Sequence, residues 1–259
     1  MTLREWVDAH PAPPRQARPR GVEVSYSQVR AYVFCPWAYK IRYVDFWRAP
    51  LTPPSALGLS IHRALEAFHR EDSSTLERLL ELYEECWVHA GFPTPQDQLE
   101  WHAKGDRILK TYFADELNRR SEIVSVEREF LFPLGPHQAR GMIDRIDRRT
   151  DGSYEVIDYK THLDPHPELE DPENLQLRIY GIGARESLAM ECSRLTRYYI
   201  ATGLRVTTPV EPDKEGEVIE LLERVADLVA LSRTFKPETS ACPRCDFRNS
   251  CQSSTARAT

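Results

Sequence analysis

Residues 141–161, GMIDRIDRRTDGSYEVIDYKT, decide the fold of this chain. β-branched and aromatic residues on both sides of an Asp-Gly pair are a strong signal for two antiparallel strands joined by a tight turn. Three charged residues, Asp144, Asp158 and Lys160, interrupt apolar runs that otherwise indicate buried strands. Charges in strands that should be buried need a chemical explanation.

The length of the turn determines whether these charges meet. With a two-residue loop, Asp144 lies opposite Tyr159, and Asp158 faces the other side of the sheet. With a three-residue loop that ends in a left-handed Gly152, Asp144 lies opposite Asp158, and Lys160 follows on the same face. Opposite residues are roughly 5 Å apart, and carboxylates that close repel unless a cation such as Mg²⁺ or Mn²⁺ lies between them. A solvated hairpin face or a structural Asp–Lys pair would also explain these residues.

The composition argues against a membrane-spanning chain. Of its 259 residues, 41% are hydrophobic and 29% are charged, and no apolar run approaches the roughly 18 residues of a span. There is no apolar signal core, so we expect a cytoplasmic protein. The net charge of −6 gives no global attraction to a polyanion, so nucleic-acid contacts would depend on local basic groups. These groups are Arg15, Arg18 and Arg20; Arg30, Lys40 and Arg42; and Arg194 and Arg197.

The predicted elements indicate one domain over residues 21–259. The Pro- and Arg-rich residues 1–20 predict a flexible or loosely docked arm. Apolar stripes at helical spacing predict a helical insertion at about 72–120. Residues 235–251 form a cysteine-rich segment.

Other candidate residues lie on predicted helices and a strand. A helix over residues 24–43 contains Cys35, and a second helix spans about 55–71. Residues 123–131 alternate as a strand, in which Glu127 is either a solvent-facing residue, the interpretation we favour, or an additional acidic site group. Three polar residues of the second helix lie at i, i+4 and i+7: His62, Glu66 and His69.

Six cysteines in a chain without an export signal favour metal binding or buried thiols over disulfides. Cys242, Cys245 and Cys251 have the spacing C-x2-C-x5-C, a strong signal for a metal site. A closed site needs a fourth ligand, and Cys35 is the candidate. Zinc held by four cysteines is one alternative. We expect Cys86 and Cys192 to be inert structural thiols.

The hairpin residues resemble the PD-(D/E)xK motif, and GMIDRID followed by VIDYKT is similar to the RecB-like branch of that nuclease superfamily. The resemblance implies an α/β fold with a central mixed sheet, flanking helices and a helical insertion. It also implies metal-dependent hydrolysis of nucleic-acid phosphodiesters. Asp144 and Asp158 would bind Mg²⁺ or Mn²⁺, and Lys160 would orient the attacking water.

Two further motifs support the resemblance. The pattern GxxxHxxLE of RecB-like nucleases is matched by Gly58, His62, Leu65 and Glu66, which implies that His62 contributes to the metal site. The pattern QxxxY that follows the lysine strand is matched by Gln176 and Tyr180, which would border the active site. At i and i+4, these two side chains share one face of a helix.

The cysteine arrangement resembles that of iron–sulfur nucleases, including AddB-type nuclease domains and CRISPR-associated RecB-like nucleases. It implies a 4Fe-4S cluster held by Cys35, Cys242, Cys245 and Cys251, which would join the N- and C-terminal segments. The implied activity is exonucleolytic cleavage or end trimming of DNA that is single-stranded or has free ends. The implied setting is DNA repair or CRISPR-type defence, with other proteins of such systems as partners. A non-catalytic DNA-binding or scaffold subunit and a zinc-ribbon interaction protein are the alternatives.

Overall fold

A computed structural model describes residues 3–10, 21–71, 75–162 and 174–256. Residues 11–20 of the predicted arm lie outside the described residues. Among the described residues, no helix combines the length and apolar character needed to cross a bilayer. The helices are α1 Leu3–Ala9, α2 Tyr26–Phe34, α3 Pro36–Tyr39, α4 Pro53–Arg70, α5 Leu76–Cys86, α6 Pro95–Glu116, α7 Leu175–Leu188 and α8 Glu215–Leu231. A π-helix lies at Lys40–Val44, and 3₁₀ helices lie at Pro212–Lys214 and Thr239–Arg244.

Six strands form one mixed sheet. They are β1 Glu23–Val24, β2 Glu122–Leu134, β3 His137–Arg148, β4 Tyr154–Lys160, β5 Cys192–Tyr199 and β6 Leu204–Pro209. The order is β1-β3-β4-β5-β6, and β2 also pairs with β3. The β3/β4 and β5/β6 pairs are antiparallel, whereas the β1/β3 and β4/β5 pairs are parallel. The α/β class with a mixed central sheet and flanking helices is therefore confirmed.

The central hairpin has the three-residue loop. Arg145 pairs with Ile157, and the same register continues to Arg148 and Tyr154. The Arg149 N–H donates to the Ser153 carbonyl at 2.8 Å, which closes a loop of residues 150–152. Gly152 ends this loop with a φ of +84°, a left-handed conformation that suits glycine. This register brings Asp144 and Asp158 to corresponding positions of neighbouring strands.

The chain folds into two compact units that alternate along the sequence. The first unit comprises Met1–Pro50, Leu131–Gly141 and Pro212–Thr259, and the second comprises Leu51–Phe130 and Met142–Glu211. The sequence predicted one domain over residues 21–259. Each unit is assembled from distant segments, and no linker in the sequence marks the division.

The first unit differs from the sequence prediction at its N-terminal end. Leu3–Ala9 of the arm is helical, and Trp6 and Val7 are buried there. The predicted helix over residues 24–43 is interrupted at Cys35, which is extended with φ −165° and ψ +110°. Pro36 explains the interruption, because a proline disfavours helical backbone in the residue before it and has no N–H to continue the helix.

The second unit contains the helical insertion and the core behind the hairpin. The apolar residues of α4 at helical spacing are buried, with Leu57, Ile61 and Leu65 at most 2% exposed. These side chains pack in one cluster with residues of α5 and α6 and with Ile157 and Tyr159 of β4. The insertion therefore gives α4 and the hairpin a shared hydrophobic core.

Candidate metal centre and cysteine site

Three side chains of the second unit converge at the face of the hairpin. His62 Nδ1 lies 3.7 Å from Glu127 Oε1 and 3.8 Å from Asp144 Oδ1. One potential ligand atom from each of the three residues lies within 4.8 Å of the others. An open cleft adjoins them, lined by Gly58, Leu59, His62, Arg63, Glu66 and Glu127. Two carboxylates and an imidazole beside solvent are a donor set that suits Mg²⁺ or Mn²⁺.

Backbone features explain how two of these side chains reach the centre. A Cβ on Gly58 would lie only 3.2 Å from Thr161 Oγ1, so the glycine lets α4 approach the end of β4 closely. His62 lies one turn further along that helix. Glu127 has a φ of +42°, a left-handed conformation that is rare for a non-glycine residue inside a strand. Strained backbone of this kind is concentrated at functional sites.

The electrostatics of the centre show a deficit of positive charge. Burial raises the pKa of Asp144 to about 7, and the charges of Asp158 and Glu127 act in the same direction, against His62. Burial alone would lower the pKa of His62, but the carboxylates of Asp144, Glu127 and Asp158 outweigh it and raise that pKa to about 9. Binding of a divalent cation would favour the ionised form of Asp144, which would then lose its proton to solvent.

Asp158 and Lys160 form the second half of the site. Lys160 Nζ lies 2.8 Å from Asp158 Oδ2 as an ion pair. Among the described residues, that buried oxygen has no hydrogen bond of suitable geometry, so the ammonium is its close partner and a metal ion would share the oxygen with Lys160. The Asp144 carboxylate is fixed differently, because its Oδ2 accepts a hydrogen bond from the Tyr159 N–H at 2.7 Å.

The glutamine and tyrosine of α7 hold the lysine. Lys160 Nζ donates to Gln176 Oε1 at 3.1 Å, and Gln176 Nε2 donates to Tyr180 Oη at 2.9 Å. Burial raises the pKa of Tyr180, and the charges of Asp158 and Asp144 raise it further. The tyrosine therefore remains a neutral anchor at the edge of the acidic site.

The structure differs from the predicted ligand set in one position. Within the described residues, the close set contains Glu127 and not Asp158. The favoured interpretation of Glu127 as a solvent-facing residue is wrong, because its side chain is only 16% exposed and faces His62. The other polar residues of α4 have separate partners: His69 contacts the Tyr112 hydroxyl at 2.6 Å, and Glu66 forms an ion pair with Arg70.

Four cysteines line one cavity of the first unit. Cys35, Cys242, Cys245 and Cys251 line this cavity together with Trp37, Ile41 and other residues. The Cys35 sulfur accepts hydrogen bonds from the Ala38 and Glu238 N–H groups at 3.4 and 3.3 Å. The extended backbone at Cys35 leads directly into α3, which supplies the first of these donors.

The spacing of the thiols argues against a preformed zinc tetrahedron. Zinc–sulfur bonds of about 2.3 Å would hold tetrahedral sulfur ligands roughly 3.8 Å apart. In the described part of the chain, no three cysteine sulfurs lie within 4.8 Å of one another. Iron–sulfur clusters are held by four cysteine thiolates, so the four thiols that line the cavity are a suitable ligand set for such a group.

A mixed sheet with paired carboxylates, a neighbouring lysine and a histidine from an adjacent helix is an arrangement that suits metal-dependent cleavage of phosphodiesters. Residues 23–252 match the model of the PD-(D/E)XK nuclease superfamily, and the chain belongs to that superfamily. Membership implies nuclease activity on DNA with divalent metal ions.

Individual relatives are distant. The "Gene 69 protein" of Mycobacterium phage D29 is 24% identical, over 88% of this chain and 95% of its own. A structure from Eubacterium rectale named "Putative exonuclease" has a TM-score of 0.54 at 11% identity and covers 90% of both chains. The crystal structure of SSO0001 has a TM-score of 0.44 at 15% identity, over 98% of this chain and 95% of that one.

Proposed function

We propose that the protein is a Mg²⁺- or Mn²⁺-dependent deoxyribonuclease that trims single-stranded DNA or free DNA ends. The convergence of His62, Glu127 and Asp144 beside the Asp158–Lys160 pair is the observation that carries this proposal. DNA repair or CRISPR-type defence, in company with other proteins, is the setting that the family resemblance implies.

Each side chain has a distinct role in this proposal. His62, Glu127, Asp144 and Asp158 would hold the metal ion. When bound, the ion lowers the pKa of a water molecule and stabilises negative charge on the phosphate. Lys160 would orient the attacking water and offset charge on the phosphate, because Asp158 and Gln176 fix its ammonium group.

Digestion of end-labelled single-stranded and duplex DNA with Mg²⁺ or Mn²⁺ tests this proposal. We expect the wild type to shorten the single strand, and we expect Asp144→Asn and Lys160→Ala to lose this activity. Lys110→Ala is the control, because Lys110 forms an exposed ion pair with Asp106. Equal degradation by all four proteins would reject the site. A wild type that binds DNA without cleaving it would indicate a non-catalytic subunit.

For the first unit, we propose a 4Fe-4S cluster held by Cys35, Cys242, Cys245 and Cys251. The cluster would serve as a structural link, since it would tie residue 35 to a segment more than 200 positions away. By analogy with a disulfide, closing so long a loop removes unfolded-state entropy worth on the order of 4 kcal/mol.

Iron and sulfide analysis with an absorbance spectrum tests the cluster. We expect brown protein, absorbing broadly near about 400 nm as iron–sulfur clusters do. Cys245→Ser should lose iron and solubility, whereas the control Cys192→Ser should keep both, because Cys192 lies outside the cavity. A colourless, iron-free protein that is folded and active would refute the cluster, and stoichiometric zinc would identify the alternative.

A further inference from the structure

An exposed aromatic segment begins at the last residue of the π-helix of the first unit. It comprises residues 44–48, Val-Asp-Phe-Trp-Arg, and is called the aromatic turn below. Phe46 is 81% exposed and Trp47 is 53% exposed. Among the large hydrophobic side chains of the described residues, Phe46 has the greatest exposure. Two adjacent aromatic rings that contribute so little to a core indicate an interaction site.

The backbone of the aromatic turn is fixed by hydrogen bonds. The Trp47 N–H donates to the Ile41 carbonyl, and the Asp45 N–H donates to the Lys40 carbonyl, both at 2.9 Å. Phe46 has a φ of +57°, which favours glycine and is unusual for an aromatic residue. Packing does not explain a phenylalanine in this conformation, because the ring remains in solvent. The strain points to a function for the ring itself.

We propose that the aromatic turn is a stacking platform for the unpaired bases of single-stranded DNA. This inference rests on the proposed nuclease function and specifies its substrate. Bases of a single strand stack on exposed aromatic rings whatever their sequence, whereas paired bases in a duplex are not accessible. The exposed Arg48 adjoins the rings and can contact the phosphate backbone.

The small size of the aromatic turn favours DNA bases over a protein partner. The chain carries a net charge of −6, so electrostatic attraction to DNA is weak and stacking would have to supply affinity. The apolar part of the turn consists of only three residues, Val44, Phe46 and Trp47. A stable protein interface buries about 800 Å² on each partner, which is far more than one turn provides.

Fluorescence anisotropy of labelled oligo(dT), with EDTA present to prevent cleavage, tests the proposal on the full chain. We expect Trp47→Ala to weaken binding about 5- to 150-fold, the range for loss of one base–aromatic stack. Phe46→Gly should weaken binding to a similar extent. Because glycine accepts a positive φ, this variant should keep or raise the melting temperature, which separates lost binding from misfolding.

Two comparisons make the test specific for stacking. Phe46→Tyr should bind nearly as well as the wild type, whereas Phe46→Leu, which keeps an apolar side chain without a ring, should bind as weakly as Phe46→Gly. Leu99→Ala removes another apolar side chain, 66% exposed, and should change nothing.

Several outcomes would overturn the proposal: wild type that does not bind oligo(dT), variants that bind like the wild type, or full binding by Phe46→Leu. Self-association that Trp47→Ala abolishes would instead assign the turn to protein contacts. Because EDTA removes catalysis from the measurement, ring-dependent binding by a wild type that never cleaves DNA would reject only the proposed nuclease function.

Discussion

Replacing Arg145 with methionine should severely destabilise the second unit. The Arg145 side chain is completely buried behind the acidic site. It donates to both carboxylate oxygens of Asp147, at 2.5 and 2.6 Å, and lies 2.9 Å from Glu116. It also donates to the hydroxyl of Tyr159, whose N–H holds Asp144. The network therefore supports the strand pair that carries the candidate ligands.

The expected loss follows from the charges that the substitution leaves behind. The side chain of Asp147 is only 2% exposed and cannot recover its hydration, whereas Glu116 keeps ion pairs with Arg119 and Arg205. Removing one partner of a buried ion pair costs about 3–5 kcal/mol. In a chain of this size, that loss lowers the melting temperature by roughly 6–20 °C.

Urea and thermal unfolding, monitored by circular dichroism, measure the effect. The matched control is Arg148→Met, three positions along the same strand, where the ion pair with Glu122 is half-exposed. We expect the control to change stability little, because water screens exposed pairs. Adding Asp147→Leu to Arg145→Met should recover part of the loss. Equal destabilisation by Arg145→Met and the control would refute the reasoning.

Three further predictions concern the second unit. Gly58→Ala brings a Cβ to 3.2 Å from Thr161 Oγ1, so the cleavage rate should fall several-fold. The free energy of unfolding should change by less than about 1 kcal/mol, because alanine has the better helix propensity. An unchanged cleavage rate would contradict the need for close approach of α4 to β4. Gln176→Ala removes one of the two partners that fix the Lys160 ammonium and should lower kcat without changing DNA affinity. Weaker binding alone would argue for a substrate contact. Burial, aided by nearby arginine charges, lowers the pKa of His69 to about 3. Below about pH 6.5 the unfolded chain therefore gains a proton at His69 that the folded chain does not. The free energy of unfolding should fall by up to about 2 kcal/mol between pH 6.5 and 5. Urea midpoints at the two pH values should show a smaller acid loss in His69→Gln, and an identical loss would reject this assignment.

The hairpin could be predicted because its information is local. An Asp-Gly pair between β-branched arms allows only two common loop lengths, and Gly152 can supply the left-handed residue of the longer one. The helix α4 could be predicted for the same reason, because its buried residues Leu57, Ile61 and Leu65 follow helical spacing.

Features that depend on distant contacts or unusual backbone were not visible. The alternating pattern of residues 123–131 does not predict that Glu127 adopts a positive φ and that its side chain faces His62. Trp6 and Val7 are followed by a Pro-rich stretch, so their burial against distant residues has no sequence signal. Pro36 was a usable signal for the interruption at Cys35, but the apolar periodicity around it outweighed that signal.

Anomalous diffraction from a crystal soaked in Mn²⁺ tests the central claim most directly. We predict one strong peak among His62, Glu127, Asp144 and Asp158, with carboxylate oxygens about 2.0–2.3 Å from the ion. The peak should be absent from Asp144→Asn and present in Glu122→Gln, a control on the same strand as Glu127. A peak elsewhere, or a peak that survives Asp144→Asn together with undiminished DNA cleavage, would contradict the proposed metal centre.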